Sequence, residues 1–235
     1  MTNPILNTSQ DNALWVQCWR DRQTDFHQNL TNPLLIEFWP ALHLALGSRI
    51  LVPLCGKSLD MMWLLKQGHQ VVGVELSPVA VRAFFKENHL QATQVQAGKL
   101  TRWVSGNLTI FCGDFFALTG QDLGIIDAIF DRAALTALPE ILRPAYVAQL
   151  QLLTPLSSAL MLMTTEDQDE DELAADALEI STEIDDLFGL NSHIELTHVE
   201  TTADSNSATQ STYKVYRITS ETSLNPQPQL TLSTM

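Results

Sequence analysis

Arg49-Ile-Leu-Val-Pro-Leu-Cys-Gly-Lys-Ser58, followed after one amphipathic stretch by Gln70-Val-Val-Gly-Val-Glu75, decides how the chain is read. Each half opens as a short apolar run without alternation, which is the pattern of a strand buried on both faces of a parallel sheet. The first run ends in a loop around Gly56 that leads into a helical segment, and the second ends in an acid nineteen residues after that glycine. In an open α/β sheet a ligand sits at the carboxyl ends of the strands, where the strand order reverses. A glycine turn allows close approach of a ligand, and a carboxylate about 20 residues later can accept hydrogen bonds from a pair of ribose hydroxyls. The spacing therefore suits a nucleoside ligand, although only one glycine of the dinucleotide-binding fingerprint is present. The letters Gly56-Lys57-Ser58 also mimic the end of a phosphate loop, but the earlier glycine such a loop needs is replaced by Leu51, inside the strand.

Outward from this stretch the alternation continues. Strands are expected at 49–53, 70–75, 108–112, 125–131 and 159–165, with helices at 59–67, 78–88 and 139–153. The last two helices carry Pro in or near the first turn. A helix around 184–188 ends at Gly189, and alternating runs at 193–200 and 213–219 predict an antiparallel hairpin at the sheet edge, joined by a polar linker at 201–212. Before the first strand, Leu14, Trp15, Cys18 and Trp19 recur at helical spacing, and an apolar stretch at 34–46 follows Asn32-Pro33, so residues 1–48 form a helical cap. The expected fold is α/β: a doubly wound, mostly parallel seven-stranded sheet within one domain over 1–219. Residues 220–235, with Pro226 and Pro228, are expected to be a disordered tail.

Composition narrows the function. A 235-residue chain with 45% hydrophobic residues can bury one sizeable core. The balance of 13 basic against 27 acidic residues gives a formal charge of −14, which repels nucleic-acid backbones and anionic lipid. The first ten residues have no signal-peptide pattern, no run is apolar and long enough to span a membrane, and Cys18, Cys55 and Cys112 are odd in number and far apart. A cytoplasmic protein without membrane or nucleic-acid partner is expected. The six histidines lack ligand spacing, so no metal is implied, and Cys55 reads as a small buried thiol.

Two more strand ends carry polar chemistry. Gly113-Asp114-Phe115-Phe116 offers a carboxylate and an aromatic wall to an adenine, or else a turn glycine with two core phenylalanines. Asp131-Arg132 offers an ion-pair-capable couple, which as an isolated pair reads as a structural salt bridge before a catalytic one.

Together these motifs resemble the thiopurine S-methyltransferase family, bacterial members above all. The landmarks are Trp15, Trp19 and Phe26-His27; Val52-Pro-Leu-Cys-Gly-Lys-Ser58; Gly68-His69 through Glu75-Leu-Ser77; Gly113-Asp-Phe-Phe116; and Asp131-Arg-Ala-Ala-Leu135 before Ala137-Leu-Pro139. The resemblance implies a class I methyltransferase with S-adenosyl-L-methionine (SAM) as donor and a small thiol as acceptor. Trp15 would close over the cofactor, Leu54 would line its methionine end, Glu75 would take the ribose, and Asp114 and Phe115 would flank the adenine. Arg132 would lie near the methionine portion and the acceptor, and Phe26 would touch the acceptor. Thiopurine-like thiols, or selenium and tellurium species, would be acceptors, and a monomer is expected. The chain departs from the family after its fifth expected strand: Glu166-Asp-Gln-Asp-Glu-Asp-Glu172 stands where relatives carry Glu-Tyr and a Gly-Pro-Pro-Phe segment, and 201–212 lacks a basic residue. A SAM-binding module with an altered acceptor pocket is the alternative.

Overall fold

The computed structural model describes residues 8–155, 158–168, 180–189, 192–203 and 210–220. Five parallel strands form its centre: β1 (Arg49–Val52), β2 (Gln70–Glu75), β5 (Leu108–Cys112), β6 (Ala128–Arg132) and β7 (Ala159–Gln168). The hairpin β8 (Ser192–Ala203) and β9 (Gln210–Ser220) pairs antiparallel onto β7. A second antiparallel hairpin, β3 (Thr93–Ala97) and β4 (Leu100–Ser105), pairs onto β5. The sheet is thus nine-stranded, ordered β3-β4-β5-β2-β1-β6-β7-β9-β8, two strands more than expected. The strand order reverses between β1 and β6, which fixes the switch point there.

The extra hairpin escaped periodicity because Thr93 to Gln96 of its edge strand are all exposed, and β4 buries only Leu100 and Trp103. The C-terminal hairpin runs past its expected ends, so parts of the expected linker are strand and Ser220 pairs with Ser192. The rest of the expected tail, 221–235, residues 204–209 of the linker, and the acidic 169–172 all lie outside the described residues.

Helices cover both faces. On one, α2 (Pro33–Phe38), α3 (Asp60–Lys66) and α4 (Pro78–Glu87) pack Leu35, Met61, Leu64, Val81 and Phe84 against Ile50, Val71 and Ile110. On the other, α5 (Gly120–Leu123), α6 (Ala134–Ala137), α7 (Arg143–Leu153) and α8 (Ile180–Phe188) pack against Leu51, Val72, Phe111 and Leu162. The residue alternation along each strand divides these two cores. The N-terminal apolar stretch is not one helix: a 3-10 turn, Trp39–Leu42, follows α2 where Pro40 removes a helical donor. The expected helix at 139–153 likewise begins as a 3-10 turn, Glu140–Leu142, before α7 restarts with Pro144 in its first turn. Helix α1 (Ser9–Asp21) crosses the carboxyl end of the sheet, its residues lining a cleft with the ends of β1, β2, β5 and β6. No helix among the described residues is long and apolar enough to cross a membrane.

Candidate active site

The cleft at the switch point has a volume of about 180 Å³, and all seven sequence-nominated residues line it: Trp15, Phe26, Leu54, Glu75, Asp114, Phe115 and Arg132. The β1–α3 loop is held onto β2 by two backbone donors. Cys55 N–H bonds the Val74 carbonyl at 2.9 Å, and Gly56 N–H bonds Glu75 Oε2 at 2.8 Å. Leu54 has φ 44°, a left-handed conformation that costs a non-glycine residue about 1–2 kcal/mol. Gly56 also has positive φ, and a Cβ there would approach the Trp19 ring to 3.2 Å.

Glu75 is 5% exposed and accepts from Ser77 N–H at 2.6 Å as well as from Gly56. Burial pushes its carboxyl up to about 7, against the opposing pull of these backbone donors. Its two oxygens retain lone pairs for hydroxyl donors on the cleft side.

Asp114 caps the short 3-10 turn Phe115–Ala117 by accepting from Phe116 N–H at 2.9 Å. Its other oxygen accepts from Asn12 Nδ2 at 3.1 Å and Thr8 Oγ1 at 3.4 Å, which ties α1 to the end of β5. Phe115, 3% exposed, packs on Tyr146 with ring centroids 5.1 Å apart while lining the cleft, so it is a core residue and an aromatic wall at once.

Asp131 and Arg132 do not pair with each other; successive strand residues point to opposite faces, which corrects the ion-pair reading of that couple. Asp131 accepts from Tyr146 Oη at 2.7 Å and from the N–H groups of Ala134 and Leu135, with burial pushing its carboxyl up to about 6. Arg132 instead donates Nε–H to Asp60 Oδ2 at 2.7 Å and Nη2–H to Ser58 Oγ at 3.1 Å. Phe26 stands at the mouth, half exposed, with edge-on contacts of 5.5 Å to both Trp15 and Trp19.

Sequence reasoning missed Asp60, Tyr146 and Asn12. Asp60 had a signal: it falls four residues before Leu64 on the buried stripe of α3, where an acid needs a partner. His27, read as structural or surface, lines the cleft, its basicity lowered by burial and then by Lys57 and Arg132. Cys55 is the buried thiol expected, pushed well above the ordinary range by burial and then by Glu75.

The donor set discriminates between ligands. Two carboxylates at neighbouring strand ends repel phosphates, and Lys57, the residue a phosphate loop would require, is paired with Glu87 at 2.9 Å. A cationic nucleoside with free ribose hydroxyls and an adenine amino group fits the same residues, so SAM fits.

The known proteins agree. The thiopurine S-methyltransferase family model matches residues 10–223. The thiopurine S-methyltransferase of Stutzerimonas stutzeri (strain A1501) is 48% identical over 224 residues, 94% of this chain and 95% of that protein. That of Methylococcus capsulatus (strain Bath) is 43% identical over 188 residues, 79% of this chain and 84% of that protein. Among solved structures, a SAM-dependent methyltransferase from Anabaena variabilis superposes with a TM-score of 0.63 at 15% identity, covering 92% of this chain and 97% of that one. A Burkholderia thailandensis 1,6-didemethyltoxoflavin-N1-methyltransferase, solved with S-adenosylhomocysteine, gives 0.60 at 13% identity with 93% of each chain covered. With these relatives spanning nearly its whole length, the chain belongs to the thiopurine S-methyltransferase family and is a SAM-dependent methyltransferase.

Proposed function

We propose that the enzyme methylates the sulfur of small aromatic thiols, thiopurine-like compounds first, with selenium or tellurium oxyanions as further soft acceptors. The Arg132 guanidinium carries this reading: it lines the cleft, is held by Asp60 and Ser58, and shares the cleft with the Phe26–Trp15–Trp19 aromatic cluster.

In the proposed complex Glu75 accepts from the ribose hydroxyls, Asp114 and Phe115 flank the adenine, Leu54 lines the methionine end, and Trp15 closes over it. Bound there, SAM supplies a methyl group already activated by its sulfonium. The chain's own residues then need to orient, desolvate and balance charge; a strong general base is not required. Phe26 seats the acceptor ring by edge contact. Arg132 favours the thiolate over the thiol by its positive charge, so the acceptor reaches the site as its reactive anion. The apolar lining contributed by Leu138, Leu142 and Phe130 limits water around the reacting atoms.

The test is an Arg132→Met variant assayed with aromatic thiols of graded acidity. We expect kcat at saturating thiol to fall about tenfold or more at pH below the bound thiol's ionisation, as a shift of one unit in that ionisation implies. The loss should narrow at high pH, where the thiolate forms unaided. An unchanged kcat at every pH would remove Arg132 from the acceptor site.

A further inference from the structure

Resting on that reading of Arg132, we infer that Asp60 is a positioning residue for methyl transfer, fixing the guanidinium and the Phe26-bearing segment as one unit. Asp60 is 1% exposed and uses both oxygens: Oδ2 accepts from Arg132 Nε at 2.7 Å, and Oδ1 from Asn32 N–H at 2.8 Å. Asn32 is itself the cap of α2, accepting from Leu34 N–H at 2.9 Å, and its amide donates to Gln28 Oε1 at 3.3 Å. Gln28 lies two residues after Phe26. The hydrogen bonds thus run without a break from the end of β6 to the segment bearing Phe26.

Ser58 completes the clamp by accepting from both Arg132 Nη2 and Asp60 N–H, the latter at 3.2 Å. Two of the three guanidinium nitrogens are held, while Nη1 has no hydrogen-bond partner among the described residues. Stability alone does not account for such an arrangement, because a buried ion pair adds little over well-packed apolar residues. What the pair does provide is a fixed guanidinium whose charge is partly offset. Asp60 therefore sets both where Arg132 points and how strongly it favours the thiolate.

Two effects follow for variants. Asp60→Asn removes the offsetting charge while keeping the side chain's size. The acid limb of the kcat profile, read at saturating aromatic thiol that ionises within the assay range, then moves to lower pH by about half a unit or more. Asp60→Ala frees the guanidinium and lowers kcat about tenfold, as a misplaced group does, and Asp60→Glu restores part of that loss. Both effects disappear when Arg132→Met is already present, because coupled residues act non-additively. Melting temperatures accompany each variant, and Asp60→Asn alone carries the test where Asp60→Ala does not fold. Arg132→Met impaired, with an unmoved acid limb in Asp60→Asn or a fully additive Asp60→Ala, overturns this inference and leaves the reading of the site intact. Arg132→Met without effect overturns the reading of the site, and this inference with it.

Discussion

At Glu75, burial and hydrogen bonding act in opposite directions on one carboxyl group, and burial wins. The unfolded chain releases this proton near the ordinary carboxyl value of 4.5, whereas the folded protein keeps it up to about 7. Stability therefore falls as pH rises through that window and levels off above it, with Asp131 acting in the same direction up to about 6. Ribose hydroxyls donated to Glu75 favour its ionised form, so SAM affinity should rise with pH to about 7 and then flatten. Calorimetry at pH 6 in buffers of different ionisation enthalpy should record proton release on SAM binding, and Glu75→Gln should abolish it while weakening binding by about 1–3 kcal/mol. Undiminished proton release in that variant would assign the titration to another group. Glu75 was legible in the sequence because its spacing from Gly56 is itself a geometric statement. The partners of Arg132 were not: Asp60 and Ser58 precede it by 72 and 74 residues, and only the fold brings them together. Adjacency in sequence was misleading for Asp131 and Arg132, since strand pleating sends neighbours to opposite faces.

Helix α1 is the element through which the cap reaches the cleft. Its polar contact with the sheet is concentrated at Asn12 and Thr8 on Asp114, while Trp19 packs beneath the Gly56 loop. Neither buried core contains a residue of α1, so release of the helix would leave both intact. Asn12→Ala should loosen it by about 1 kcal/mol, seen in stopped flow as a roughly fivefold faster release of SAM with an unchanged melting temperature. A release rate equal to that of the unaltered enzyme would show that α1 does not gate the cleft. The helix was visible as recurrent aromatic spacing, and β1, β2 and β5 as short, largely apolar runs. The β3–β4 hairpin was not visible, because the residues Thr93 to Gln96 of its edge strand are all exposed and no buried face marks it. Helix α6 was too short for periodicity to register, and is set instead by Asp131 capping its first N–H groups.

Across the whole molecule, the doubly wound sheet brings two carboxylates, an anchored guanidinium and an aromatic cluster from β2, β5, β6 and the N-terminal cap to one cleft. The formal charge of −14 favours the approach of a cationic donor and disfavours an anionic acceptor at long range, which leaves Arg132 to reverse the sign locally. The fold class was legible from the alternation of buried runs and amphipathic segments, and the spacing of strand-end acids located carboxylates that line the cleft. The acceptor end was less so, because it is assembled from the cap, the β1–α3 loop and β6, with no shared periodicity. The most direct measurement is transfer of labelled methyl from SAM, with matched aromatic thiol, phenol and amine acceptors and with selenite and tellurite alongside. The account predicts turnover on the thiol and none on the phenol or amine. Equal transfer to oxygen or nitrogen, or SAM bound without turnover on any acceptor as in a SAM-binding module, would contradict it.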